Sequence, residues 1–178
     1  MRIIAFAAFG LLAACQQPAA NPADKSVAND AAVPAEAPKS AGLGPAPAKE
    51  AALKLMHDRH EDMERIGDAV KATARALKSQ SPDLSVIRSS AATIAELSPQ
   101  IPSWFPAGTG PDVGKTHAKP AIWEKPEDFV LKAREFDAVA KTHHAAAVGG
   151  DINAIKASFA DLGKGCKSCH EPYRAKDD

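Results

Sequence analysis

The chain has 178 residues, and its 22 Lys and Arg residues balance 22 Asp and Glu residues, for a formal net charge of zero. This length predicts one domain, or one domain with a tail, and the balanced charge argues against a protein that binds nucleic acid by neutralising phosphates. Hydrophobic residues make up 45% but aromatic residues only 5%, which favours alanine-rich helices over strands. The cysteines Cys15, Cys166 and Cys169 are odd in number, so disulfides within the chain cannot account for all of them.

The amino-terminal segment has the pattern of an export signal. A basic start, Met1-Arg2, precedes twelve small or apolar uncharged residues at 3–14. At about 1.5 Å per residue, this stretch is too short to span the roughly 30 Å hydrocarbon core of a bilayer. We therefore predict that residues 1–14 are a signal peptide that is removed after export.

The sequence at 12–15, Leu-Ala-Ala-Cys, resembles a bacterial lipobox. In a lipobox, a signal peptidase cuts just before the cysteine, and the thiol carries diacylglycerol. Cys15 is therefore the predicted lipidation site, and its acyl chains would hold a periplasmic protein on a membrane surface. Gln16 in the next position favours the outer membrane. The alternative is an ordinary cleavable signal that contains a cysteine by chance.

Residues 16–48 are rich in alanine and proline, with eleven Ala and six Pro among 33 positions. Such a segment buries too little apolar surface to offset the entropy cost of ordering it, and its prolines block a helical hairpin. We expect residues 15–48 to form the lipidated cysteine and a disordered tether. Residues 49–178 should form the folded domain.

The first two predicted helices follow the tether. In the first, about 49–79, large apolar residues recur from Leu53 at spacings of 3, 7, 3, 4 and 7, which places them on one helix face. The second, about 82–98, begins at a Ser-Pro-Asp sequence, in which Ser81 would be the N-cap and the proline the first helical residue.

Two further helices follow a long loop that is rich in proline and glycine. The third opens at the Lys-Pro-Glu-Asp sequence of 125–128 and ends at the glycine pair of 149–150. Asp151 caps the fourth, whose apolar stripe ends in Cys166 and Cys169. These patterns predict an all-α fold, an antiparallel four-helix bundle with a long loop between helices two and three.

Residues 166–170 read Cys-Lys-Ser-Cys-His, a C-x-x-C-H motif. In c-type cytochromes the two thiols add to the vinyl groups of haem, and the histidine ligates the iron. On a helix, Cys169 and His170 lie three and four residues after Cys166, so the three side chains share one face. Together with the export signal, the motif predicts one covalently bound haem c inside the bundle, with His170 as axial ligand.

Three other interpretations of this motif remain open. A thioredoxin-type C-x-x-C begins a helix after a strand, whereas this pair lies near the end of the last predicted helix. A structural disulfide is compatible with export but leaves His170 without a role. A zinc site needs a second pair of ligands, and the remaining histidines have no matching spacing. They are His57, His60, His117, His143 and His144.

The predicted domain contains five short sequence motifs. They are Arg59-x-x-x-Met63, Phe105-Pro106-x-Gly108, Lys119-Pro120-Ala121-Ile122-Trp123, Gly150-Asp151 and Gly165-Cys166-x-x-Cys169-His170-x-x-Tyr173-Arg174. With C-x-x-C-H on the last helix, they resemble the class II c-type cytochromes, the cytochrome c′ family. The resemblance covers residues 53–174. It implies a periplasmic haem protein, often a homodimer, that transfers electrons or binds nitric oxide or carbon monoxide.

The resemblance also implies that Met63 faces the iron on the side opposite His170. If the Met63 sulfur binds, the iron is six-coordinate and low-spin, with a raised potential. If it only covers the iron, the centre is five-coordinate and open to small gases, and methionine suits either state. We favour an electron carrier that serves a periplasmic or membrane redox partner. The alternative is a five-coordinate protein that binds nitric oxide or carbon monoxide.

Two arginines and a histidine complete the candidate residues. Arg59 lies four residues before Met63 and could pair a haem propionate, while Arg174 could place a positive charge beside His170. The alternative for both arginines is a solvated charge on a helix surface. His143 falls on the apolar stripe of helix three, where we expect a partly exposed histidine at the contact between neighbouring helices. Its alternatives are a second ligand and a pH-sensitive group near the haem.

The sequence contains no apparent acid/base pair, nucleophile constellation or phosphate-binding loop. These are the arrangements by which an active site is recognised in a sequence. We therefore do not predict an enzyme.

Overall fold

The computed structural model describes residues 46–176. The predicted signal peptide, the lipidation site Cys15 and nearly all of the predicted tether lie outside these residues. The helices are α1 (Lys49–Lys78), α2 (Leu84–Leu97), α3 (Ala121–Glu124), α4 (Pro126–Gly149) and α5 (Ile152–Tyr173). A 3₁₀ helix, Ser98–Trp104, directly follows α2.

The start of α2 differs from the predicted one. Asp83, and not Ser81, is the N-cap, because its carboxylate accepts hydrogen bonds from the amides of Ser85 at 2.8 Å and Val86 at 3.3 Å. A carboxylate satisfies these amides and also interacts favourably with the positive end of the helix dipole. The expectation that Ser81 caps this helix was therefore wrong, and α2 begins two residues later than predicted.

The segment between α2 and α4 contains two short helices that the sequence analysis treated as loop. One is the 3₁₀ helix, and the other is the single turn of α3. Trp123 of α3 connects the two parts of this segment. Its indole Nε1 donates to the carbonyls of Phe105 at 3.2 Å and Pro106 at 3.0 Å, which directly follow the 3₁₀ helix. Trp104, at the end of the 3₁₀ helix, is buried in the core.

The four long helices form the predicted antiparallel bundle, in which α1 packs on α2, α2 on α4 and α4 on α5. One buried cluster contains most of the aromatic side chains and lies towards the long loop between α2 and α4, here called the crossover loop. A smaller cluster, here called the far cluster, lies at the other end of the bundle and consists of Ile87, Ala91, Ala147 and Ile155. Among the described residues, no helix is both long and apolar enough to cross a membrane.

The turn from α4 into α5 is formed as the sequence predicted, by a glycine that ends one helix and an aspartate that caps the next. Gly150 adopts a left-handed conformation with φ of +79°, and its amide donates to the carbonyl of Ala146 at 3.0 Å. Asp151 then caps α5 by accepting from the amide of Asn153 at 2.8 Å. Helix α4 therefore ends at Gly149, and the chain reverses direction within two residues.

Replacing Gly150 tests this turn. We expect Gly150→Ala to lower the free energy of unfolding by about 1–2 kcal/mol, because a Cβ makes a left-handed backbone unfavourable. The matched control is Gly149→Ala, a helical position where an added Cβ meets nothing within 4 Å. Urea unfolding followed by circular dichroism measures both. Equal losses in the two variants would contradict the conformational explanation.

Candidate functional site

A large cavity lies between α1 and the carboxyl-terminal half of α5, with a volume of about 760 Å³. Its inner wall is apolar, and α4 contributes Phe129, Ala133 and Phe136 to it. A mostly apolar cavity of a few hundred Å³ with a small number of polar groups is typical of a cofactor site. The dimensions and lining therefore suit a flat, largely apolar group.

All six residues that the sequence analysis proposed for cofactor binding line this cavity. Two lie on α1 and four lie at or just after the end of α5. They are Arg59, Met63, Cys166, Cys169, His170 and Arg174. Residues separated by more than a hundred positions in the chain thus meet on two facing walls.

The thiols of Cys166 and Cys169 are unbridged, and both residues are half-buried. Burial raises the pKa of the Cys166 thiol, and it raises the pKa of Cys169 to about 11 although the charge of Lys132 opposes the change. Redox-active C-x-x-C pairs have the opposite property, a lowered thiol pKa. The raised pKa values therefore do not support the thioredoxin interpretation of the motif.

The zinc interpretation finds no support in the geometry either. Within residues 46–176, no group of three or more His, Cys, Asp or Glu side chains is arranged to hold a metal ion. A structural zinc site needs four such ligands. Covalent haem attachment, which needs the two thiols and His170, stays the prediction for the C-x-x-C-H motif.

His170 lies on the α5 wall beside the two cysteines. Burial lowers the pKa of His170, and the positive charge of Arg174 lowers it further. Both effects favour the neutral imidazole, which is the form that ligates a metal. Met63 lies on the α1 wall of the same cavity and is partly buried against the aromatic cluster.

Arg59 is almost completely buried, with 4% of its surface exposed. Its Nη1 donates to Thr109 Oγ1 at 3.0 Å, and its Nη2 donates to the carbonyl of Thr109 at 2.9 Å and to Thr116 Oγ1 at 3.0 Å. These bonds occupy three of the five guanidinium N–H groups. The alternative of a solvated surface charge is therefore excluded for Arg59, and the expected pairing with a propionate stays a prediction.

Aromatic rings complete the surroundings of Arg59. Its guanidinium carbon lies 4.7 Å from the ring centre of Phe105 and 5.8 Å from that of Trp123, distances at which a cation is attracted to a ring face. Burial lowers the pKa of Arg59 to about 10, so the side chain stays charged at neutral pH. The sequence analysis missed the two threonines that hold it, because short polar residues in a loop have no periodic pattern.

The end of α5 is fixed by the same loop. The amide of Lys119 donates to the carbonyl of Tyr173 at 2.9 Å, and the amide of Ala175 donates to the carbonyl of His117 at 2.7 Å. The phenol of Tyr173 also donates to the carboxylate of Asp128 on α4. The helical turn that carries His170 is thus held by the loop and by α4.

His143 does not line the cavity. It is completely buried in α4, and its Nδ1 lies 3.0 Å from Ser158 Oγ on α5. The expectation of a partly exposed histidine was therefore wrong. The reason is that α4 packs against both α2 and α5, so that its apolar stripe lies in the interior.

A family model for cytochrome c′ matches residues 54–174. The chain belongs to the cytochrome c′ family. Cytochrome c-554 from Cereibacter sphaeroides is 35% identical to it over 129 residues, which cover 70% of this chain and 95% of that protein. Members of the cytochrome c′ family are periplasmic and carry a covalently bound haem c, so this protein is a haem c protein.

Two solved cytochromes c′ have the same fold. One, described as having ligand-controlled dimer dissociation, matches with a TM-score of 0.65 and 30% identity over 70% of this chain and 97% of that one. The other is the nitric oxide complex of a variant from Alcaligenes xylosoxidans, with a TM-score of 0.63 and 28% identity over 74% of this chain and 99% of that one. The predicted four-helix bundle and family are thereby confirmed.

The contacts of Arg59 predict a large effect of a charge-conserving substitution. We expect Arg59→Lys to lower the free energy of unfolding by about 2 kcal/mol, because the single nitrogen of lysine cannot reproduce the three hydrogen bonds that two guanidinium nitrogens make and leaves a buried acceptor unpaired. The control is Arg65→Lys, an exposed position on the same helix, where we expect a change within about 0.5 kcal/mol. Urea unfolding of the holoprotein measures both variants, and equal effects would contradict this role of Arg59.

Proposed function

We propose that this cytochrome c′ family member is an electron carrier whose one haem c occupies the cavity between α1 and α5. Cys166 and Cys169 are the attachment sites, and His170 is the axial ligand. The observation that carries the proposal is the placement of a methionine on one wall of the cavity and a histidine on the other. Haem c supplies one-electron cycling between Fe(III) and Fe(II), and a histidine–methionine ligand pair raises its potential.

The surroundings of Met63 favour a role as sixth ligand. Its thioether is long and flexible enough to reach across a cavity, and its helix is fixed one turn earlier, where Arg59 binds the loop. If Met63 binds the iron, the fixed backbone of α1 would limit the movement of this ligand between oxidation states and so lower the reorganisation that accompanies electron transfer. Arg59 retains N–H groups for a propionate, and Arg174 supplies a second cation at the cavity.

Gas binding is the second candidate function. A solved relative with this fold is a nitric oxide complex, and an apolar cavity wall admits small uncharged molecules. In this case Met63 would cover the iron without binding it, and the protein would buffer nitric oxide or carbon monoxide or confer resistance to nitric oxide. A relative with ligand-controlled dimer dissociation also supports a homodimer for this chain.

The spin state of the iron distinguishes the two functions. We expect absorption and EPR spectra of the purified protein at neutral pH to be low-spin, and Met63→Leu to convert them to high-spin, because leucine preserves volume but has no sulfur. Met56→Leu is the matched control, since Met56 is a buried methionine in the same cavity and should leave the spectra low-spin. A high-spin spectrum of the unmodified protein would favour gas binding.

Covalent attachment is measured in the same samples. The thioether bonds from Cys166 and Cys169 should keep the haem with the denatured polypeptide during acid–acetone extraction, in both methionine variants. If the haem is extracted, the assignment of the two cysteines is wrong, whatever the spin state.

We also propose that the protein is tethered to a membrane through Cys15. The lipobox-like sequence supports lipidation, and a tether of the length of 16–48 would reach roughly 30 Å as a flexible coil. The domain could therefore move over the membrane surface between redox partners, with the outer membrane as the favoured location.

Substitution of the lipidated residue tests the tether. We expect Cys15→Ser to move the protein from the membrane fraction to the soluble periplasmic fraction, because the acyl chains provide its membrane affinity. Mass spectrometry of the unmodified protein should detect the added lipid on the mature amino terminus. A mature protein without lipid, or an unchanged distribution of the variant, would contradict the proposal.

A further inference from the structure

His143 is a titratable group in the interior that the proposed function does not use. It lies on α4, outside the cavity, and none of its surface is exposed. Its Nδ1 lies 3.0 Å from Ser158 Oγ, and its ring centre lies 5.6 Å from that of Phe159. Its Nε2 is buried and has no hydrogen-bond partner among residues 46–176.

The hydrogen bonds around Ser158 define the tautomer of His143. The Ser158 hydroxyl donates to the carbonyl of Ile155 at 3.0 Å. A hydroxyl has one proton to donate, so Ser158 Oγ must accept from His143 Nδ1–H. The proton of the neutral imidazole is therefore on Nδ1, and Nε2 carries the buried lone pair.

Protonation of Nε2 would place a cation and an unpaired N–H group in this part of the core. Its neighbours on α5 are uncharged: Ser158 accepts only one hydrogen bond from it, and Phe159 offers a ring. A second buried polar atom without a hydrogen-bond partner in the described part of the chain is Thr73 Oγ1 on α1. The observed neighbours of His143 therefore offer this cation a hydroxyl but no negative charge.

The charged groups on the packed helices do not compensate either. The adjacent His144 on α4 would repel a second positive charge, and it already lowers the pKa of His143, although burial has the larger effect. From α2, Arg88 approaches α4, since its Nε donates to the carbonyl of Ala147 at 3.1 Å. The carboxylate of Asp137 on α4 accepts hydrogen bonds from Ser98 and Lys141.

We propose that His143 is an acid-sensitive switch for the packing of α4 against α5. Acid adds a proton to Nε2, the charged ring leaves the interior, and α4 loses its packing against Ser158 and Phe159 of α5. The haem cavity is lined by the carboxyl-terminal turns of α5, where Arg59 and the loop between α2 and α4 hold the helices. Acidification of the periplasm would therefore loosen the contact at His143 before the haem site responds.

The direction of the pH effect follows from linkage. The pKa of His143 is lowered in the folded protein relative to the ordinary value of 6.5, so below this pH the unfolded chain binds a proton that the folded chain does not. Stability is unaffected by this group well above pH 6.5, and it falls as the pH drops below that value until the folded pKa is reached.

Urea unfolding of the full-length holoprotein at pH 7.5, 6.5 and 5.0 tests the switch. We expect the unfolding midpoint of the unmodified protein to fall with pH, and the fall to shrink in His143→Leu, which removes the proton site but keeps an apolar side chain. His57→Gln is the matched control, because His57 is exposed on α1 and should leave the fall unchanged. An undiminished fall in His143→Leu would overturn the proposal.

Two measurements on the unmodified protein keep the test decisive if His143→Leu does not fold. In an NMR titration, the His143 ring should stay neutral to a pH below its ordinary pKa of 6.5. Hydrogen exchange at pH 5 should accelerate at the end of α4 and the start of α5 more than at the carboxyl-terminal turns of α5. A His143 ring that becomes protonated at its ordinary pKa, or uniform acceleration, would contradict the switch.

Discussion

The buried guanidinium of Arg59 is the interaction on which the architecture of the haem site depends. It crosses from α1 to the loop, where Thr109 and Thr116 accept its hydrogen bonds and two aromatic rings lie against its faces. A buried charge is tolerated only when its donors are satisfied in this way. The long loop, which is rich in proline and glycine, is thereby held against α1 at the level of the cavity.

The same loop also holds the opposite wall. Thr116 accepts from Arg59, and the next three residues pair with the end of α5 through the amides of Lys119 and Ala175. One short segment of chain therefore connects both walls of the cavity. The distance between the α1 wall and the α5 wall of the cavity is determined by this connection and by the packing of α4 behind them. This explains how the two helices can stay apart without the bundle losing order.

The two ends of the bundle differ in how they are stabilised. The end near the loop contains the aromatic side chains, the buried arginine and the cofactor cavity. The far cluster consists of small and branched aliphatic residues. Elsewhere in the described core, Thr73 Oγ1 and His143 Nε2 are buried without hydrogen-bond partners, and unpaired polar atoms in a core reduce its stability.

The sequence by itself determined the four long helices and the family, and it predicted the chemistry of the C-x-x-C-H motif. These features are local: an apolar stripe, a glycine after a helix and the spacing of Cys166, Cys169 and His170 can all be read within one or two turns. Only the tertiary structure decided that Arg59 binds Thr109 and Thr116, that Asp83 caps α2 and that His143 is fully buried. These features depend on which elements pack together. They include hydrogen bonds between residues fifty positions apart and the burial of a helix on two sides, and a local sequence pattern contains no information about such packing.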